Sequence, residues 1–217
     1  MKKLFICSLF IIITSTAYSQ LIFFSVGKTI SSFNYKNSEG ETLDNLQGSN
    51  QSGLGLGYRQ SVMRTPFYVS ASANYNNYGA KGSDKTLGNY YEWDLVYLGI
   101  NLGVDYEFFR PPLNRNEQHG FSVCVKANIA SEFMLQGTQI FNSQINDLNG
   151  VEEFDKPLYF VRGGLGVNYY ISKTFILFAE YVGGTSFLIG NYNNQEQLKL
   201  ITHNINIGLS INLMTNN

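Results

Sequence analysis

Between Phe24 and Leu213 the chain repeatedly alternates apolar residues with small or polar ones at a period of two. That spacing puts the two classes on opposite faces of a strand, and a helix cannot satisfy it. Eight segments carry the pattern: Phe24–Ser31, Gly53–Val62, Phe67–Asn76, Val96–Glu107, Phe121–Glu132, Tyr159–Tyr169, Phe175–Tyr181 and Asn204–Leu213. The fourth is the clearest, with Val96, Leu98, Ile100, Leu102, Val104 and Tyr106 set against Tyr97, Gly99, Asn101, Gly103, Asp105 and Glu107. In the eighth, Ile205, Ile207, Leu209, Ile211 and Leu213 face away from Asn204, Asn206, Gly208, Ser210 and Asn212.

Segments of about ten residues with one apolar face match membrane-crossing strands, for which roughly 9–11 residues suffice. The connections alternate in length. MRTP (Met63–Pro66) and the vicinity of SKT (Ser172–Thr174) are tight turns, and RPPLNRNEQHG (Arg110–Gly120) is intermediate. Lys36–Ser52, Gly79–Asn89, Gln136–Lys156 and Gly183–Gln197 read as long polar loops. The predicted fold is therefore all-β: an eight-stranded antiparallel up-and-down transmembrane β-barrel with short periplasmic turns, long extracellular loops and both termini periplasmic. The competing fold is a lipocalin-like soluble barrel, whose apolar faces point inward and whose exposed faces usually carry Lys and Glu. Here the polar faces are mostly Gly, Ser and Asn, residues small enough for a narrow lumen.

Residues 1–20, MKKLFICSLFIIITSTAYSQ, have a positive start, an apolar run and a small-residue end, the form of a cleaved secretory signal peptide. The barrel is then assigned to residues 21–217, where no apolar stretch approaches the length of a spanning helix. Cys7 follows Ile6 and precedes most of the apolar run, which excludes a lipoprotein signal; its removal leaves Cys124 as a single thiol with no internal disulfide. The placement implied is the outer membrane of a Gram-negative bacterium.

Charged residues are only 14% of the chain, against about 25% in soluble domains, and the net charge is -1. A chain so balanced offers no field for nucleic acid. If the polar faces line the lumen, then Arg59, Asp105, Glu107, Lys126, Glu132, Arg162 and Glu180 are inside and must pair. Strand direction assigns Arg59, Asp105, Glu107 and Lys126 to the periplasmic half and Glu132, Arg162 and Glu180 to a second, higher group. Placing Leu165 opposite Glu180 predicts coupling between Arg162 and Glu180, with Glu132 as the other possible partner of Arg162. Tyr97, Phe160 and Tyr170 share the inward parity and should close the lumen, whereas Leu102 and Leu209 should face lipid near mid-membrane.

Motifs for chemistry are missing. SVGKT (Ser25–Thr29) lacks the first glycine of a phosphate loop, since Ile22 stands there, and GLGLG (Gly53–Gly57) and GGLG (Gly163–Gly166) lack the third glycine of a dinucleotide fingerprint. His119 and His203 fall at opposite ends without a cysteine partner, so no zinc site is predicted. Ile205 occupies the serine place of the H-x-S spacing used by barrel lipid A deacylases. No catalytic, cofactor-binding or metal-ligating residue is assigned, and no cofactor. Tyr75, Tyr78, Tyr90, Tyr91 and Trp93, with Tyr181, Phe187 and Tyr192, read as an interfacial aromatic girdle. The acidic run Glu152, Glu153 and Asp155 reads as solvated loop.

The segments SSFNY, GLGLGYR, YVSASANYNNYGAKG, YLGINLGVDYEF and LYFVRGGLGVNYYISKTFILFAEYVGG resemble the PorT-like outer-membrane β-barrel domain family over nearly the whole mature chain. The resemblance implies the fold rather than an activity. The ending INLMTNN departs from the terminal aromatic of such barrels and shifts the assembly signal inward to Leu213. The function expected is a small non-enzymatic outer-membrane barrel with a plugged lumen and a structural or surface-binding role. The alternatives are an accessory of protein secretion or transport, and a lipid-acting barrel enzyme or soluble carrier. Its partners would be outer-membrane lipid, the barrel-assembly machinery during insertion and an unidentified envelope protein.

Overall fold

Strands with one apolar face still expose unpaired backbone groups at every sheet edge unless the ladder closes on itself. A computed structural model, which describes residues 20–36, 46–63, 65–83, 89–111, 119–150, 156–187 and 197–213, shows that closure. The strands are β1 (Gln20–Lys36), β2 (Gln47–Ser61), β3 (Phe67–Ser83), β4 (Tyr90–Phe108), β5 (Gly120–Phe141), β6 (Gln144–Asp147), β7 (Leu158–Tyr170), β8 (Phe175–Phe187) and β9 (Gln197–Asn212). Their order is β4-β3-β2-β1-β9-β8-β7-β5-β6, and a further β4–β5 pairing completes the ring. Every pairing is antiparallel, and β6 pairs only with the outer part of β5, so eight strands form the barrel and the ninth is a flap on it.

The register fixes the tilt. From Ile22 it runs through Tyr58, Ala71, Leu102, Ile129, Val161, Thr185 and Ile201, and returns to β1 at Ser32. Such a closing displacement inclines eight strands by about 40° to the barrel axis and leaves an interior just wide enough for side chains. At the end where β1 begins and β9 finishes, Leu213 N–H donates to the Gln20 carbonyl at 2.8 Å. The two shortest connections between neighbouring barrel strands lie at this near end. Val62 N–H bonds the Phe67 carbonyl at 2.8 Å, and the Ser172 hydroxyl accepts from the Thr174 and Phe175 amides at 3.1 and 3.0 Å.

At the far end the strands outrun the alternation that announced them. β2 starts at Gln47, β3 runs to Ser83, β4 starts at Tyr90 and β8 ends at Phe187, because backbone pairing continues where the contrast between faces has faded. The expected Gln136–Lys156 loop is in its first part a hairpin. Asn142 and Ser143, at φ 46° and 73°, form a tight two-residue turn between Phe141 and Gln144. A bulge precedes it. Tyr97 pairs with Met134 but Val96 with Gln136, so Leu135 is extra and the inward parity of β5 passes from Glu132 to Gly137.

The outer wall is apolar. Ile100, Leu102, Leu165, Ile205 and Ile207 are each 55–60% exposed, an arrangement inverted from a soluble lipocalin-like barrel. Aromatic rings bound this wall. Phe67, Tyr106 and Phe108 touch in succession near the termini (5.0 and 4.6 Å between centroids), as do Phe121 and Tyr169 (4.7 Å). Farther along lie Tyr75 and the Tyr159–Phe187 pair (6.1 Å). Phe67 to Tyr75 spans about 26 Å of strand, or about 20 Å along the tilted axis, close to the roughly 25 Å apolar band of transmembrane barrels. Leu102 lies mid-band as expected. Leu209 faces outward but sits low, near the end of β9, and is partly covered.

Leu102→Arg should lower stability by about 2–4 kcal/mol, measured as reversible unfolding in lipid vesicles, and Leu209→Arg by less, since the penalty falls toward the interface.

Candidate functional site: the layered lumen

All seven charges assigned to the polar faces do point inward, and they separate into two layers. The near layer is a chain of ion pairs. Arg59 Nε lies 2.8 Å from Asp105 Oδ2, Lys126 Nζ 3.7 Å from the same oxygen, and Lys126 Nζ 2.7 Å from Glu180 Oε2. Asn206 Nδ2 donates to Glu180 at 3.0 Å. Glu107 accepts on Oε1 from Tyr170 OH at 2.5 Å, from Asn168 Nδ2 at 3.0 Å and from the Ser122 hydroxyl. The Arg59 guanidinium also covers the Tyr68 ring at 4.0 Å. Below it, Leu21, Tyr68, Tyr170 and Ile176 form a small apolar cluster toward the termini.

The far layer is built on Glu132, which is fully buried. Its Oε1 accepts from Arg162 Nη2 at 2.8 Å and Asn76 Nδ2 at 2.9 Å, and its Oε2 from Tyr78 OH at 2.7 Å. Arg162 Nη2 also donates to Tyr78 OH at 2.9 Å, with its guanidinium 3.9 Å from the Phe160 centroid. Gly99 is directly opposite Glu132 on β4, and a Cβ there would lie 2.9 Å from Glu132 Cγ. The glycine makes the room in which that carboxylate crosses the lumen. Gly57, within GLGLG, does the same for Phe23, whose ring would stand 2.4 Å from an added Cβ.

Beyond this layer the lumen is filled by apolar and aromatic side chains, among them Phe33, Trp93, Leu95, Tyr97, Phe160 and Leu200. Leu148, which follows β6, packs into the same cluster and bonds its N–H to the Gly137 carbonyl at 3.0 Å. Tyr97, Phe160 and Tyr170 are buried, as their parity predicts.

Two expectations are corrected. Glu180 belongs to the near layer and does not meet Arg162. Leu165 pairs with Tyr181, both outward, while Glu180 pairs with Gly166, which must share its inward face. Arg162 then lies about 13 Å further along β7, beyond direct reach. Its partner is Glu132. The girdle also loses three members: Tyr78 and Trp93 are buried inside the barrel, each at the inward parity of its strand, and Tyr91, at the parity of Trp93, stacks on it at 5.8 Å and packs against the inner cluster. Tyr75, Tyr181 and Phe187 are exposed on the wall and Tyr90 on the far rim. Tyr192 and the acidic run 152–155 lie outside the described residues.

Sequence reasoning missed the hydrogen-bond partners Tyr78, Asn76, Tyr170, Ser122 and Asn168. Continuing the inward parity of Asn74 and Asn76 to Tyr78 would have found the first of these. Among the described residues no three His, Cys, Asp or Glu side chains are grouped to hold a metal ion. His203 faces outward, with Nδ1 2.6 Å from Tyr181 OH, and His119 stacks on Tyr169 at the opposite end.

The molecule is thus an antiparallel up-and-down barrel of eight strands with an apolar wall and a packed lumen. No protein-family model matches the chain, and no curated protein matches it. Solved structures similar to it include Neisserial surface protein A, at 11% identity over 88% of this chain and 97% of that one, with a TM-score of 0.47. The outer membrane protein OprG from Pseudomonas aeruginosa is 12% identical over 92% and 98%, at 0.49. Ail, the attachment invasion locus protein of Yersinia pestis, is 12% identical over 89% and 99%, at 0.37. The fold assignment rests on the closed register and the inverted polarity described above.

A double-mutant cycle with Arg162→Met and Glu132→Gln should show strong coupling: each single change costs about 3–5 kcal/mol by orphaning a buried charge, and the pair costs less than the sum. Pairing Arg162→Met with Glu180→Gln should be additive within about 0.5 kcal/mol. Gly99→Ala should cost about 1–3 kcal/mol through overpacking against Glu132, read by the same unfolding assay.

Proposed function

We propose that the chain is a small non-enzymatic barrel of a Gram-negative outer membrane, with both termini periplasmic, that acts through its far-end surface rather than through its lumen. The observation that carries this reading is the filled interior, where two charge layers and an aromatic plug occupy successive levels between the rims. The far end supplies the surface. β3, β4 and β5 rise past the outer aromatic belt as paired sheet, tied by Lys81–Glu92 at 2.7 Å and capped by the β5–β6 turn, with Ile145 73% exposed. Two tight turns at the end where β1 begins, and paired sheet rising past the belt at the other, fit the short periplasmic turns and larger extracellular face of outer-membrane barrels, which supports the orientation. The likeness to PorT-like domains noted in the sequence belongs to the same proposal, as do outer-membrane lipid, the assembly machinery and an envelope protein as partners.

The test is labelling of intact cells with a membrane-impermeant maleimide. Ile145→Cys should label on intact cells, Met63→Cys only after the outer membrane is opened, and native Cys124, which is buried, in neither case. The opposite pattern for Ile145 and Met63 would reverse the orientation. In planar bilayers the purified barrel should show no steady conductance of porin size; such conductance would contradict the sealed lumen.

A further inference from the structure

Lys28 occupies an unusual place. Alternation along β1 sends Ile22, Phe24, Val26 and Ile30 outward and Lys28 with them. Among the described residues it is the only formally charged side chain on the outer wall between the two aromatic belts. The opposing positions are Ser52 on β2, whose hydroxyl accepts from Lys28 Nζ at 2.9 Å, and Ile205 on β9. Leu54, one outward position nearer the middle, pairs with Tyr75 of the far belt, so the ammonium stands at that boundary and its stem lies along the apolar wall.

About Lys28 a groove of about 590 Å³ runs along the wall, with Val26, Leu54, Ile205 and Ile207 along its floor and Ile30 and Asn50 beyond the lysine. His203 flanks its polar end. It pairs with Ile30 across β1–β9 and is therefore a diagonal neighbour of Lys28, about 7–8 Å away between strand positions. In the tautomer whose Nδ1 accepts from Tyr181 OH, Nε2 carries the proton and can donate in turn. One cation and the Ser52 hydroxyl thus meet in an acyl-chain-sized groove with His203 on the neighbouring strand, and with no carboxylate among its lining residues.

We propose that this groove is a binding site for one membrane lipid bearing a phosphate headgroup. The phosphate sits on Lys28, with Ser52 and His203 as hydrogen-bond donors, and an acyl chain lies over Val26, Leu54, Ile205 and Ile207. An ammonium at this level discriminates by charge: a zwitterionic headgroup carries a cation of its own beside the phosphate, and a phosphate monoester does not. The site rests on the membrane-spanning placement proposed above.

The test is native mass spectrometry of the folded mature barrel released from detergent micelles, titrated with dioleoyl phosphatidic acid or dioleoyl phosphatidylcholine. The native chain should bind a first phosphatidic acid about fivefold more tightly than phosphatidylcholine, the worth of one lysine at a membrane surface. Lys28→Gln should abolish that preference and Lys28→Arg should keep it. Lys173→Gln removes the same charge from the near-end turn and should leave the preference intact. Equal preference in the native and Lys28→Gln chains, or an equal loss in Lys173→Gln, overturns the site. A heat-modifiability gel on the same samples separates this failure from failure of the membrane reading: a chain that shows no folded band in micelles or vesicles contradicts both, and a folded chain without preference contradicts the lipid site alone.

Discussion

A backbone that crosses hydrocarbon has no water for its amides and carbonyls, and each group left unpaired there costs several kcal/mol. The rest of this structure follows from meeting that constraint with strands. The sheet must close, β1 must find β9, and the ring of eight strands must tilt for its register to return to β1 ten residues along, at Ser32. Closure also divides every strand into a face that meets lipid and a face that meets a lumen little wider than the side chains it holds.

The lumen then becomes a packing problem in a medium of low dielectric. Seven inward charges could not be tolerated singly, and they are arranged so that each cation contacts a carboxylate. Glu132 shows how closely the sequence is matched to this. Its carboxylate accepts from Asn76 and Tyr78 on β3 and from Arg162 on β7, and it reaches them because β4 offers Gly99 where any side chain would intrude. Glu107 takes its three neutral donors on one oxygen, Oε1, and makes no ion pair with a described cation. An interior wired across β3, β5 and β7 resists opening.

The sequence made the fold legible because membrane and lumen impose opposite polarities on adjacent residues. Where both are present, as along Val96–Glu107 and Asn204–Leu213, strand and face can both be read. Beyond the far belt the outside is again water, the alternation fades, and pattern alone reads the ladder of β3, β4 and β5 there as loop. The hairpin at Asn142–Ser143 escaped notice because a serine takes the position where glycine usually signals such a turn. The charge layers were half legible: parity assigns residues to the lumen, but height along the axis depends on register and tilt together. A slip of one residue in the β7–β8 pairing placed Leu165 opposite Glu180 and so joined two groups that the tilted barrel keeps apart.

The inverted barrel requires opposite environments for adjacent residues of one strand. The direct measurement is a spin-label scan from Tyr97 to Glu107 in the barrel reconstituted in lipid vesicles, with collision rates to oxygen, which concentrates in hydrocarbon, and to a polar nickel chelate, which does not. The prediction is a strict two-residue rhythm: labels at Leu98, Ile100, Leu102 and Val104 collide freely with oxygen, with Ile100 and Leu102 the most shielded from nickel, while labels at Gly99, Asn101, Gly103 and Asp105 are protected from both. A scan without that rhythm, or with oxygen reaching the Gly99 face, would contradict the inverted barrel on which every other conclusion depends.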